Sequence, residues 1–328
     1  MARREQRSLE VAVQAPPEPP STAAAGQPSR KPKPFQPNKL FWILLAAPGM
    51  IWLLVLFIVP FYAMLAIGEG KLRIQGETPV AVYNPFDWSS ANLTNVWRDM
   101  FGSAAFVGEA AVRTVEYVVI ASLLSLIIAY PAAYFVARFA GRRKGFFLLL
   151  LVAPFWISYM MRMLAWIDLL QVNGYLNKIL SYIHIGPVNW LGGHSYTVIL
   201  GLVYGYIPYL ILVLYAGLDR IDPALLEAGR DLGLGRVMTF IRVTLPLSRQ
   251  PILTGMLITV LPMLGDYYTN TLLSGARDTS MIGNLIEGQL STPSAGQGAI
   301  LSLIVLLVLL VPMLYYVVQT NRASRVAS

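Results

Sequence analysis

Residues 219–251 of this 328-residue chain read DRIDPALLEAGRDLGLGRVMTFIRVTLPLSRQP, a polar stretch between two long apolar runs. Asp222 followed by Pro223 predicts the start of a helix, because the carboxylate can cap free backbone amides and proline loses no hydrogen bond at the first helical position. Gly233 is placed to end this helix and Gly235 to turn the chain. The stretch is therefore predicted to begin with a short capped helix and a glycine turn.

A second helix is predicted to follow the turn, from about Arg236 until Pro246 interrupts it, because apolar residues recur there at helical spacing. Two interpretations of this helix–turn–helix are open. The two helices would lie on the lipid surface with their arginines near the headgroups, or they would form a rigid knob presented to a cytoplasmic partner. The physical chemistry of the stretch alone favours neither.

The composition identifies the class of protein. Hydrophobic residues make up 56% of the chain and charged residues only 13%, whereas soluble domains carry about 25% charged residues. This excludes a disordered chain, a disulfide-stapled secreted fold and an ordinary cytosolic enzyme. The chain has no cysteine, which excludes thiol catalysis and cysteine-based zinc sites, and its two histidines, His184 and His194, leave little for a metal cluster.

Six apolar runs are predicted to cross the membrane as helices, because about 20 apolar residues span the hydrocarbon. They cover approximately 41–67, 112–137, 146–167, 197–218, 252–269 and 299–318. Residues 1–38 contain eight of the 22 prolines and are predicted to be a disordered cytoplasmic tail. Residues 39–320 then form the six-span domain, and residues 321–328 a cytoplasmic C-terminal tail.

The distribution of lysine and arginine predicts the orientation of these spans. Eighteen of the 25 lie in the N-terminal segment, in the loops at 138–144 and 219–250 and at the C-terminal end, against five in the segments on the other side. Because cytoplasmic loops of membrane proteins carry the excess of positive charge, both termini are predicted to be cytoplasmic. The same distribution accounts for the net charge of +8, so no nucleic-acid partner is predicted.

Three groups of residues resemble a known family. One group resembles the EAA loop of ABC importer permeases, whose pattern is E-A-A-x3-G-x9-I-x-L-P. It consists of the letters EAG at 227–229, Gly233 after three intervening residues, and VTLP at 243–246. The letters EAG depart by a glycine for the second alanine, and VTLP by a valine for isoleucine. The stretches at 153–174 and 262–284 resemble the third-span region and the fifth span of permeases in the spermidine/putrescine importer group. The closest match there is the first of the two permeases.

The resemblance implies an all-α integral membrane protein of six transmembrane helices with the type I ABC importer permease (MetI-like) fold, multi-pass in the bacterial cytoplasmic (inner) membrane. Its implied function is to translocate a small cationic solute, a polyamine such as spermidine or putrescine, delivered by an extracytoplasmic binding protein. The implied partners are a second, homologous permease subunit, a cytoplasmic ABC ATPase dimer and the lipid bilayer.

ATP and magnesium would belong to that ATPase, because this sequence lacks the G-x-x-x-x-G-K-[ST] motif of a phosphate-binding loop. The chain itself is therefore expected to be no enzyme and to hold no cofactor. Six residues of the 219–251 stretch are predicted to form the joint with the ATPase. They are Glu227, Ala228, Gly229, Asp231, Gly233 and Gly235.

A second set of six residues is predicted to line the substrate pathway, because an ionisable group in an apolar span is costly and marks a functional site. They are Asp266, Tyr267, Tyr268, Asp168, Trp166 and Tyr204. Asp266 is the leading candidate, since a carboxylate beside two aromatic rings suits an alkylammonium group. In the competing interpretation, Asp266 ends its span or pairs with Arg162, Asp168 caps a helix end, and Tyr204 is a packing residue.

Other functions stay open at this point. Within the importer class the solute would instead be an opine, thiamine, ferric ion or a sugar derivative. An ion-coupled secondary transporter is a different class, but such folds often show paired interrupted segments, and no such pairing is evident here. A non-transporting membrane scaffold that works through its N-terminal tail is the third alternative.

Overall fold

The computed structural model describes residues 39–70, 73–75, 78–80, 83–102 and 106–326. The tail predicted at 1–38 lies outside this part of the chain. The α-helices in the described part are α1 Lys39–Glu69, α2 Ala91–Phe101, α3 Phe106–Arg138, α4 Lys144–Val152, α5 Tyr159–Leu170, α6 Tyr175–Tyr182, α7 Ser195–Asp219, α8 Pro223–Asp231, α9 Arg236–Thr239, α10 Leu245–Leu247, α11 Arg249–Leu264, α12 Tyr268–Leu273, α13 Ile282–Leu290 and α14 Ala295–Val326. One short antiparallel hairpin pairs β1 Arg73–Gln75 with β2 Thr78–Val80.

The chain divides between Leu56 and Phe57 into two units. The described part of the first unit is the N-terminal portion of α1. Its large apolar side chains, from Leu40 to Leu56, are between 46% and 67% exposed. A helix that is apolar on every side is typical of a segment surrounded by lipid.

The core of the second unit is formed by α3 packed against α7, with α11 packed on both. In the largest buried cluster, α3 contributes alanines and α7 contributes leucines. These residues are Ala129, Ala133, Ala137, Leu210, Leu214 and Leu218. Small residues on one helix let the two backbones approach closely, which is how helices gain packing energy inside a membrane.

Four described helices are long and apolar enough to cross a membrane alone, and they are α1, α3, α7 and α14. Two further candidates for a crossing are pairs of helical segments joined at a sharp bend. The first pair, residues 141–156 and 159–182, is bent by 89°, and the second, residues 236–247 and 249–264, by 61°. Counted as one span each, they bring the described part to six spans, as predicted. The third span is interrupted, however, and is not the single helix predicted over 146–167. The bend of the second pair precedes the run predicted over 252–269, and in that run α11 ends at Leu264 and α12 begins at Tyr268.

The break in the third span follows from Pro154. Proline has no backbone N–H and clashes with the carbonyl four residues earlier, so it disfavours a continuous α-helix. The chain instead tightens into a 3-10 turn at Ala153–Trp156, and Ile157 and Ser158 then adopt extended conformations before α5 begins. The chain makes its 89° bend at these two extended residues.

The second helical run of the 219–251 loop ends later than predicted, at Leu247 and not at Pro246, and the bend to α11 lies at Ser248. A π turn at Phe240–Thr244 precedes the proline, and its last bond runs from the Leu245 N–H to the Phe240 carbonyl. A π turn takes up one extra residue, and the helical run continues through Pro246 to Leu247. The hydroxyl of Ser248 at the bend is hydrogen-bonded to Tyr130 of α3, with 2.8 Å between the oxygens. The bend is therefore fixed against the core.

Candidate functional site

The 219–251 loop begins with the predicted capped helix. The Ala224 N–H donates to the Asp222 carboxylate at 2.9 Å, and Pro223 occupies the first helical position of α8. The helix ends at Asp231, and Gly233 stops its continuation, because its φ of +88° lies in the left-handed region that only glycine adopts at little cost. Gly235 immediately precedes α9. The predicted start and end of this helix are confirmed, whereas the turn lies at residues 232–233 and Gly235 is extended.

Five of the six residues predicted for the ATPase joint are exposed, and they are Glu227, Ala228, Asp231, Gly233 and Gly235. The sixth, Gly229, is buried beneath the second helical run. Two large apolar side chains near the turn also point outward, with Leu232 85% and Val237 73% exposed. Exposed apolar side chains beside charged groups are suited to contact with another protein or with the lipid surface.

The base of the loop is attached to the C-terminal end of α3 and to the segment that follows it. A guanidinium nitrogen of Arg138 donates to the carbonyls of Leu218 and Ile221, each at 3.0 Å. Lys144 forms an ion pair with Asp219. Both cations lie at the C-terminal end of α7, where the helix dipole favours positive charge. These bonds join the base of the loop to α3 and to α4.

The second helical run of the loop packs on α3 through Phe240. The Phe240 ring meets the edges of Tyr130 and Tyr134, with centroids 5.7 Å and 5.4 Å apart. The loop is thus held at its base and along its second helix, while Glu227, Ala228 and Asp231 of α8 are exposed. This arrangement is a braced helix with one open face.

We expect Gly229→Ala to raise the free energy of unfolding by about 1 kcal/mol, because glycine weakens a helix by that amount relative to alanine. A Cβ at Gly229 would lie 3.4 Å from a methyl of Val243 and 3.6 Å from one of Leu234, which are ordinary contacts. The matched variant Gly233→Ala should lower the same free energy by about 1–2 kcal/mol, because alanine is strained at positive φ. Denaturant titration of the purified chain in detergent measures both changes. Shifts of the same sign would contradict this account of the loop.

A second cluster surrounds Asp266, in the turn after α11. The residue is buried, with 6% of its surface exposed. Its Oδ2 accepts hydrogen bonds from the hydroxyls of Tyr159 (2.9 Å), Tyr206 (3.0 Å) and Thr269 (2.8 Å), and its Oδ1 accepts one from the Thr269 N–H (2.9 Å). Four donors suit an ionised carboxylate, which can only accept. Groups on α5, α7 and α12 therefore hold this acid in one place.

The other predicted pathway residues lie in three separate places. Tyr267 and Tyr268 stack on each other with centroids 4.2 Å apart, and Tyr268 is exposed. Trp166 meets Tyr204 edge to face at 5.1 Å. Asp168 is exposed and accepts a hydrogen bond from the side chain of Gln171. The pathway assignment of these residues stays a prediction.

The alternative in which Asp266 pairs with Arg162 is wrong, since the one ion pair in the described part of the chain joins Lys144 and Asp219. Arg162 instead lies against aromatic rings, the nearest being that of Phe155, whose centroid is 4.7 Å from the guanidinium carbon.

Tyr159 and Tyr206 are the residues of this cluster that the sequence analysis missed. They lie 107 and 60 positions from Asp266 in the chain, so no local pattern joins them. Tyr159 fits because Gly205 of α7 has no side chain, and a Cβ there would lie 2.6 Å from the Tyr159 ring. The tyrosine-rich run around Pro208 in α7 was a usable signal for Tyr206 alone.

Comparison with known proteins identifies a family and several relatives to which this chain is similar. The profile of the family described as binding-protein-dependent transport system inner membrane component matches residues 117–325. The spermidine/putrescine transport system permease protein PotB of Escherichia coli (strain K12) is 35% identical over 183 residues, which are 55% of this chain and 66% of that protein. The matched region therefore spans slightly less than two thirds of that relative's length. PotB of Haemophilus influenzae is 30% identical over 254 residues, 77% of this chain and 84% of that protein.

Among solved structures, a chain from the crystal structure of a bacterial alginate ABC transporter, in complex with alginate pentasaccharide-bound periplasmic protein, superposes with a TM-score of 0.68. The match covers 87% of this chain and 96% of that chain at 17% identity. At this identity the likeness concerns the fold alone.

Proposed function

The chain belongs to the family of binding-protein-dependent transport system inner membrane components, and from this membership we propose that it is the permease subunit of an ATP-driven importer of polyamines. The predicted fold class is confirmed: the chain is an all-α, multi-pass inner membrane protein with the type I ABC importer permease (MetI-like) fold. The predicted cytoplasmic position of both termini stays a prediction.

The observation that carries the proposal is the braced loop at 219–251. Its open face presents Glu227 and the outward Leu232, and its base is bonded to α3 through Arg138 and to α4 through Lys144. A loop whose first helix is exposed, and whose base is bonded to neighbouring helices, can transmit a push from a partner protein. We propose that this partner is an ABC ATPase dimer, which would supply the site for ATP and magnesium.

The mechanism we propose is alternating access driven through this loop. Closure of the ATPase dimer would move α8, and the bonds of Arg138 and the Lys144–Asp219 pair would pass that movement to α3 and α4. The second helical run would pass it to α11 through the bend at Ser248. A second, homologous permease subunit would supply the other half of the pathway, and an extracytoplasmic binding protein would deliver the solute.

The polyamine substrate is supported by two features. The relatives reported above carry spermidine and putrescine in their names. Within this chain, the carboxylate of Asp266 lies buried and accepts hydrogen bonds from tyrosine hydroxyls, and the ring of one of these tyrosines, Tyr159, faces Arg162. A fixed negative charge near aromatic faces is suited to a primary ammonium group.

The proposal is tested in sealed vesicles that contain this chain with its second permease subunit, the ATPase and the binding protein. We expect uptake of radiolabelled spermidine or putrescine that requires hydrolysable ATP. Vesicles loaded with ADP serve as the control for passive entry. Uphill transport by this chain without any ATPase, driven by an ion gradient, would contradict the proposal. ATP-driven uptake of a different solute would retain the importer and exclude the polyamine.

A further inference from the structure

Arg162 is a buried cation without a hydrogen-bonding partner for part of its head group. Only 6% of the residue is exposed, and its Nε is buried with no acceptor in the described part of the chain. Burial of a charge in a membrane protein is costly unless other groups compensate it. Something other than an anion must therefore stabilise this guanidinium.

Aromatic rings provide that compensation. The guanidinium carbon lies 4.7 Å from the ring centroid of Phe155, 5.4 Å from that of Tyr159 and 5.9 Å from that of Tyr204. Trp166 supports the last of these rings from its side. A cation within about 6 Å of a ring centroid is attracted by the negative face of the ring. We call Phe155, Tyr159 and Tyr204 the aromatic cage.

The aromatic cage lies next to the carboxylate of Asp266, which forms no ion pair with Arg162. Tyr159 is the shared residue, because its ring faces Arg162 while its hydroxyl donates to Asp266 at 2.9 Å. Asp266 is instead satisfied by hydroxyl groups and one backbone N–H. Several rings around a cation, next to an acid, are the combination by which proteins bind alkylammonium ligands.

We propose that the aromatic cage is a binding site for an alkylammonium group and that Arg162 occupies it as a placeholder until the solute displaces it. This inference rests on the proposed import of a cationic solute. Arg162 is held by contacts with aromatic rings and not by a hydrogen bond at Nε, so it can leave the cage without breaking a hydrogen bond of Nε. While it stays, its positive charge repels small cations and keeps the site closed.

The test is binding of radiolabelled putrescine to the purified full chain in lipid nanodiscs, measured by equilibrium dialysis. Removal of the placeholder by Arg162→Met should tighten putrescine binding by about tenfold or more relative to the unaltered chain. The double variant Arg162→Met with Tyr204→Leu should lose this gain, because one wall of the cage is gone. Arg162→Lys keeps a cation in place and should bind as weakly as the unaltered chain.

Two outcomes would overturn the inference. One is unchanged or weaker putrescine binding by a folded Arg162→Met variant and by Arg162→Gln, with folding checked by gel filtration and near-ultraviolet circular dichroism. The other is failure of both variants to fold, which would make Arg162 a structural cation. ATP-driven polyamine uptake by the complex, without tighter putrescine binding in these variants, would exclude the role of the aromatic cage but not the proposed function. Tighter putrescine binding in these variants, without ATP-driven uptake by the complex, would support the role of the aromatic cage and exclude the proposed function.

Discussion

Glu227→Lys is expected to reduce ATP-driven uptake by about 30-fold or more and to release the ATPase during purification. Glu227 is exposed on the open face of α8, so its replacement leaves the packing of the loop intact. At the centre of a protein interface, loss of one partner in a charged contact costs about 2–5 kcal/mol, and a reversed charge adds repulsion. An energy of 2 kcal/mol corresponds to about a 30-fold change in affinity.

The matched control is Glu109→Lys, the same charge reversal at an exposed residue of α3. In the predicted topology Glu109 lies on the opposite side of the membrane from the loop. This variant should retain the ATPase in co-purification. Full association and transport by Glu227→Lys would exclude the proposed role of α8.

Asp266→Asn is expected to lower polyamine uptake by about 10- to 100-fold. The change removes the negative charge that would attract an ammonium group, and it places an amide N–H₂ against the hydroxyls of Tyr159 and Tyr206. Hydrogen bonds to a charged group contribute about 1.5–3 kcal/mol, which gives this range. The measurement is the initial rate of labelled spermidine uptake at several spermidine concentrations.

Thr269→Val is the control for this experiment. It removes one hydroxyl donor to Asp266 but retains the charge and the backbone N–H that donates to Oδ1 at 2.9 Å. It should therefore lower uptake far less than Asp266→Asn does. Equal losses in the two variants would assign Asp266 a structural role, and unchanged affinity and rate in Asp266→Asn would place the substrate site elsewhere.

The parts of the fold that were predictable depend on local chemistry. Asp222 and Pro223 specify a helix start within two residues, and Gly233 specifies its end, because capping and left-handed backbone conformation involve only neighbouring residues. The apolar runs were equally local. Their number agrees with the structure when each bent pair is counted as one span.

The bends were not predictable from those runs, because a proline in a membrane helix has several structural outcomes. Pro208 lies within the unbroken α7, and Pro154 lies in a 3-10 turn directly before a break. Pro246 follows a π turn and leaves the helix running for one further residue. Which outcome occurs depends on neighbours such as Tyr130, which bonds to Ser248 across the core.

The surroundings of Asp266 were unpredictable for a related reason. Hydropathy singled out the carboxylate, since an acid in an apolar stretch is unusual. The sequence placed Tyr267 and Tyr268 beside it, whereas the hydroxyls that hold it belong to Tyr159 and Tyr206 on other helices. Partners brought together by tertiary packing leave no periodic trace in a single chain.

The π turn at Phe240–Thr244 has a geometric consequence for the residues that follow it. Each residue of an α-helix advances by about 100° around the axis, because 3.6 residues complete one turn. A surplus residue therefore shifts the azimuth of later side chains by about that angle relative to a regular count from Arg236. Chain length, and not side-chain chemistry, sets this azimuth. Deletion of one residue from the turn would rotate the faces of the following segment while every one of its side chains stayed the same.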